Sequence, residues 1–385
     1  MNKLILHIGM HKTGSTAIQE AINGYSDHSM RYANFNSSNH SLSILPIFCK
    51  NPYALHLFKS CGMVKEEVDN YILSKKNELI KNLLLDDRDV IISGEDLCLL
   101  DFDEINSFNN FMKVNNRLVI VYSYIRHPYD FVSSYLSEVV KNGESSSCIE
   151  KFYYGSVFEK FVKIYNNDFH VKIYQRDLFL NKCVVSDFTD WIGLDFKMDS
   201  NILDLNPSLS ELSLKLIYHL NSYINTLINE SSLIARHSFI EYLRKKFPGK
   251  LILTKAQAEF FFDKGDIFYV QNLLGIQMDI EEFSNTPKSN FSLSQWAADL
   301  RDDELSNIMP TDIYDVVDLE YLPTNKIESI VISLYWYFWI KEHPEFSHFQ
   351  AHKYLLHNPD IRSSGLNPYV HFITNGSSEV NRTFF

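Results

Sequence analysis

Apolar positions along the chain fall into short continuous runs that alternate with stretches of helical periodicity. Leu4 to Ile8 is the first run. A polar, glycine-bounded turn follows, Gly9-Met10-His11-Lys12-Thr13-Gly14-Ser15-Thr16, and Ala17, Ile18, Ala21 and Ile22 then recur at helical spacing, which predicts strand, turn and helix. Val64 to Leu85 sets Val68, Ile72, Leu79, Ile80, Leu83 and Leu84 among charges, the pattern of an amphipathic helix. Asp89 to Ser93 reads as a buried strand, and Leu118 to Tyr124 as a central one leading through Arg126-His127-Pro128 into a helix over Tyr129–Tyr135. Phe152–Tyr165 is an aromatic-rich helix and His170–Tyr174 a further strand. Val184–Ile192 is an amphipathic helix closed by Gly193, and Ser210 caps a helix over Glu211–Leu227. Strands alternating with helices predict an α/β fold, a parallel sheet of phosphate-loop type covered by helices on both faces.

Other stretches are less regular. Tyr25 to Cys61, dense in Ser, Asn, His and Tyr, reads as a loop-rich insertion able to shape a cleft. Arg244-Lys245-Lys246-Phe247-Pro248-Gly249-Lys250 is the densest basic cluster and reads as a solvated turn. Ser284 to Pro310 loses periodicity, and Ile330 to Ile340 is apolar but far shorter than the roughly 20 residues that span a bilayer. The expected organisation is a main domain over 1–283, a linker or peripheral segment over 284–320 and a small helical C-terminal module over 321–385.

Composition narrows the function. The net charge of −12, with no long Lys/Arg run, disfavours a nucleic-acid binder, so an anionic ligand needs a local basic cleft. Cys49, Cys61, Cys98, Cys148 and Cys183 are odd in number and widely spaced, as reduced, mostly buried thiols are. The opening apolar run lacks a cleavage site and is already used as a strand, so it does not read as a signal peptide; a cytoplasmic protein without a transmembrane segment is expected.

The turn after the first strand carries the chemistry. Its glycines let backbone N–H groups converge on an anion, the new helix points its positive end there, and Ser15 and Thr16 add hydroxyls. A nucleoside-triphosphatase loop puts its lysine directly after the second glycine. Here that position is Ser15, and the lysine is Lys12, before Gly14. At this point the chain resembles the sulfotransferases that use 3′-phosphoadenosine 5′-phosphosulfate (PAPS). Lys12-Thr13-Gly14-Ser15-Thr16 fits their Lys-[Ser/Thr]-Gly-[Ser/Thr]-Thr core at every position. Arg126, Pro128 and Ser134 also match the segment whose arginine and serine hold the 3′-phosphate in that family. The Arg-Lys-Gly pattern of a late basic loop in the cytosolic enzymes is not reproduced.

The resemblance, over roughly residues 1 to 283, implies a phosphate site made by Lys12, Thr13, Gly14, Ser15, Thr16, Arg126 and Ser134, with PAP as product and no metal required. Lys12 and the helix beginning at Ser15 would stabilise charge on the departing 5′-phosphate. Glu95, just beyond the strand Asp89–Ser93, is the leading candidate for the base that takes an acceptor proton, and His11 the runner-up. Glu95 as a mere cap, or Asp96 as a magnesium ligand in a kinase, are the rival readings.

Near the C-terminus, Tyr354-Leu355-Leu356-His357-Asn358-Pro359-Asp360, then Gly365-Leu366-Asn367-Pro368 and His371-Phe372, resembles a short motif found beside bacterial polysaccharide-building enzymes. That company implies a carbohydrate acceptor, a bacterial surface polysaccharide or its precursor, and leaves peripheral association with polysaccharide-assembly machinery open. The alternatives are an ATP-dependent small-molecule or sugar kinase and a non-catalytic PAP- or glycan-binding protein.

Overall fold

The computed structural model describes residues 2–145, 151–196, 208–226, 229–278, 291–305 and 308–379. Cys148, Asn206-Pro207, the end of the expected helix at Leu227 and the 279–290 stretch lie outside them. The chain is an α/β protein. Five strands, β1 (Asn2–His7), β2 (Met30–Tyr32), β3 (Asp89–Ser93), β4 (Arg117–Arg126) and β5 (Phe169–Tyr174), form one all-parallel sheet in the order β2-β3-β1-β4-β5. Leu4, Ile5 and Leu6 of β1 and Val90, Ile91 and Ile92 of β3 are all buried, the continuous apolar run expected of strands covered on both sides.

Two compact units account for the described chain. The first gathers 1–131, 151–205 and 261–284 and holds the whole sheet. Ile18 and Ile22 of helix α1 (Ser15–Ile22) meet Val185 and Phe188 of the helix Val184–Trp191 over Ile5, Ile91 and Tyr124 of the sheet. Tyr124 donates its hydroxyl to Asp187 at 2.6 Å, and Lys172 lies 3.2 Å from the same carboxylate, so β4 and β5 are tied to that helix by charge as well as by area.

The second unit gathers 132–150, 206–260 and 285–385 and is helical. Helices Glu211–Tyr223 and Glu230–Lys246 pack with Lys326–Glu342, whose Tyr335, Trp336 and Trp339 are buried. Ser210 caps the first of these as expected, accepting from the Ser213 N–H at 3.3 Å. Within 284–320, Leu293–Ala298 is a helix with Trp296 and Ala297 buried. Among the described residues, no helix is long and apolar enough to cross a membrane.

Three local readings change. The 25–61 stretch is not only loop: it contributes β2 and the helices Ser41–Phe48 and His56–Ser60. Arg244, Lys245 and Lys246 do not form a turn but end the helix Glu230–Lys246, where cations oppose the negative end of the helix dipole. Of the four described cysteines, all free thiols, Cys98 is buried, Cys49 and Cys183 are half-buried and Cys61 is exposed.

Candidate functional site

With every strand parallel, the loops after β1, β3, β4 and β5 leave from one edge of the sheet. His7 stands level with Ser93 of β3 and Tyr122 of β4, and β4 then continues to Arg126 beside the loop that follows β1. That loop is laid along β4. Ile8 N–H donates to the Tyr122 carbonyl at 3.1 Å and Met10 N–H to the Tyr124 carbonyl at 3.1 Å, while the Gly9 carbonyl accepts from the Ser123 hydroxyl at 2.8 Å. Gly9 (φ 83°) leaves little room for a side chain: a Cβ there would lie 3.1 Å from the Glu95 Cβ and 3.3 Å from the Ser15 Oγ. Gly14 (φ 78°) is closed against Val184 in the same way, at 2.9 Å. Lys12 is left-handed without being glycine (φ 65°), a conformation that costs about 1–2 kcal/mol and collects at working sites.

The loop's hydroxyls divide in role. Thr13 is fully buried and donates inward to the Met10 carbonyl at 2.5 Å, so its side chain shapes the turn and only its backbone can face a ligand. Thr16 is exposed at the head of α1. Ser15 is 2% exposed, and its Oγ faces Glu95 without closing a hydrogen bond of proper geometry. No side chain caps α1 and no carboxylate stands in its first turn, which leaves its positive end to whatever anion arrives.

Glu95 and Asp96 follow β3 at the start of a short 3₁₀ turn, Glu95–Leu99. The insertion 25–61 supports that turn: the Ser41 hydroxyl accepts from the Asp96 N–H at 3.1 Å, and a Cβ at Gly94 would strike the Ser41 backbone at 2.8 Å. Burial pushes the Glu95 carboxyl above the usual carboxylate range; the His11 charge opposes this, Asp96 adds to it, and Ser15 and Lys12 oppose it. His11 crosses from the first loop to bond Asp96, Nε2 to Oδ1 at 2.8 Å, with its Nδ1 3.7 Å from the Cys98 Sγ. Burial works against a charge on His11, but the Asp96 bond, Cys98 and the Glu95 carboxylate outweigh it and push the imidazole up to about 10. An imidazole held protonated through the neutral range has no lone pair with which to accept a proton.

Arg126 is half-buried at the end of β4. Its Nη1 donates to the Lys12 carbonyl at 2.7 Å, its guanidinium lies 5.5 Å from the Tyr174 ring centre, and the Tyr154 hydroxyl donates to its carbonyl at 2.9 Å. Burial lowers its pKa, and the nearby Arg176 charge lowers it further, while Asp130, Tyr174 and Tyr154 work the other way. Tyr174 and Arg176, at and just beyond the end of β5, were not picked out in the sequence; their signal is position alone, an aromatic and a cation at a strand's carboxyl end. Ser134 is half-buried in the helix Pro128–Lys141, in the stretch that belongs to the second unit.

The structure therefore brings His11, Lys12, Ser15, Glu95, Asp96 and Arg126 to one edge. The glycine cradle and the uncapped helix suit a phosphate-bearing ligand. Compared with protein-family models, with curated proteins and with solved structures, the chain gives no match.

Proposed function

We propose that the chain is a PAPS-dependent sulfotransferase that moves a sulfuryl group to a hydroxyl of a carbohydrate acceptor, on a bacterial surface polysaccharide or its precursor. On this reading the sheet is of phosphate-loop type with helices on both faces, residues 321–385 are a C-terminal helical module, and the protein works in the cytoplasm. The observation that carries the reading is the loop itself. Lys12 sits strained on the near side of Gly14, the head of α1 is uncapped, and Arg126 is pinned to the loop's own carbonyl.

Bound PAPS supplies an activated sulfuryl group on a 5′-phosphate. Lys12, the Ser15 hydroxyl and the N–H groups of α1 would hold that phosphate and meet its growing charge. Arg126 would hold the 3′-phosphate through the nitrogens left by its bond to Lys12, with Ser134 as the second contact that the resemblance implies. Glu95, raised toward neutrality, would take the acceptor hydroxyl's proton as the new S–O bond forms.

Calorimetric titration with PAP, against 5′-AMP and against ATP with and without magnesium, tests this. Tight, metal-independent binding that requires the 3′-phosphate is the expected result. Equal or better binding of magnesium-ATP would overturn the reading in favour of a kinase. PAP binding without transfer across a broad carbohydrate panel would reduce the protein to a binding module.

A further inference from the structure

His11 and Asp96 stand 85 residues apart in the chain and meet at 2.8 Å across the two loops that frame Glu95. Both side chains are about one-third exposed, so the pair is shielded without being sealed. Each ring nitrogen of His11 already has a neighbour, Asp96 at Nε2 and the Cys98 Sγ at Nδ1. Neither is left to carry a proton to or from a substrate. The pair's other consequence falls on Glu95, which is adjacent to Asp96 in the chain and packed against Gly9 of the His11 loop.

We propose that His11 and Asp96 form a fixed cation–anion brace between the two loops, which holds the Glu95 carboxylate ionised and in place. His11 is then a positioning residue, neither acid nor base. The inference rests on the role given to Glu95 under the proposed function. The charged and titratable groups facing the brace are Glu95, Lys12 and the thiol of Cys98, with Lys160 of the helix Tyr154–Tyr165 beyond that thiol, and Asp96 balances the imidazolium directly. The largest influence opposing burial at Glu95 is the His11 charge, so removing that charge must make the carboxylate harder to form.

The test is an NMR titration of the full chain with labelled histidine rings and glutamate carboxyls, followed by the pH profile of kcat/KM. In the wild type the His11 ring stays protonated through neutrality, with a midpoint near 10. In Asp96→Asn it falls back toward the ordinary value of about 6.5. In His11→Gln, where an amide can still bond Asp96, the Glu95 midpoint and the acid limb of kcat/KM both move up by roughly one pH unit. A wild-type His11 titrating near 6.5, or a Glu95 midpoint unmoved in His11→Gln, would overturn the brace. The wild-type titration needs no variant to fold. Failure of PAP to bind a protein whose His11 titrates as expected would count against the sulfotransferase reading and not against the charge pairing.

Discussion

The loop after β1 and the aromatic helices near the C-terminus are held in different ways. Around residues 326–374 two helices are capped by the local rules, Asn325 accepting from the N–H groups of Ile327 and Glu328 and Asn367 from those of Tyr369 and Val370, and Pro359 and Pro368 open their helices, while His343 Nε2 is buried without a hydrogen bond. Trp336 stacks with Trp339 at 5.5 Å and meets the Tyr369 ring at 4.9 Å, and the Tyr354 hydroxyl bonds His371 Nδ1 at 2.8 Å. Around residues 9–16 it is the backbone that is constrained, with a left-handed lysine and two glycines at positive φ pressed against close neighbours. Stacked aromatic rings and capped helices mark a region built for stability, and a left-handed lysine between crowded glycines a region shaped for a partner from outside.

That contrast can be broken from either side. Trp336→Ala should have the largest effect, about 3–5 kcal/mol of unfolding free energy by denaturant titration, and any folded fraction should bind PAP as the wild type does. Lys12→Ala should lower kcat by about 10²-fold or more while leaving the melting temperature nearly unchanged; unaltered turnover would sink the mechanism. Arg126→Ala should weaken PAP about 10- to 100-fold in calorimetry, since hydrogen bonds to charged groups are worth about 1.5–3 kcal/mol. Asn367→Ala should cost about 1 kcal/mol of stability and nothing in PAP affinity.

The pH dependence of stability sharpens the comparison further. The folded-state pKa of His11 is raised, so its contribution is full below the unfolded value of about 6.5 and is lost as pH rises through about 10. The stability gap between wild type and Asp96→Asn should therefore narrow over that window, as read by thermal melts at successive pH values.

Four of the five strands were legible because buried parallel strands are written as apolar runs. β2 was not: it is three residues long, pairs only with β3 at the sheet's edge, and carries Arg31 at its centre. The side chain of Arg31 is buried by bonding the Asn82 carbonyl and pairing with Asp86, contacts that no local window contains. The helix Phe102–Val114 was also missed, although Asp101 and Glu104 spell its capping box. In the site, Lys12, Ser15 and Arg126 were readable because each lies in a compact motif. The bond between His11 and Asp96 was not, because it exists only once β1 and β3 lie side by side.

The sheet order also bears on how the chain is made. β1 is flanked by β3 and β4, which begin only at Asp89 and Arg117. At a synthesis rate of about 5–20 residues per second, Leu4, Ile5 and Leu6 wait on the order of ten seconds for both neighbours to emerge. The strand that leads into the loop over residues 9–16 is thus exposed on the nascent chain before either neighbour can cover it, and holding it apart from other chains during that interval is a condition for the site to form at all.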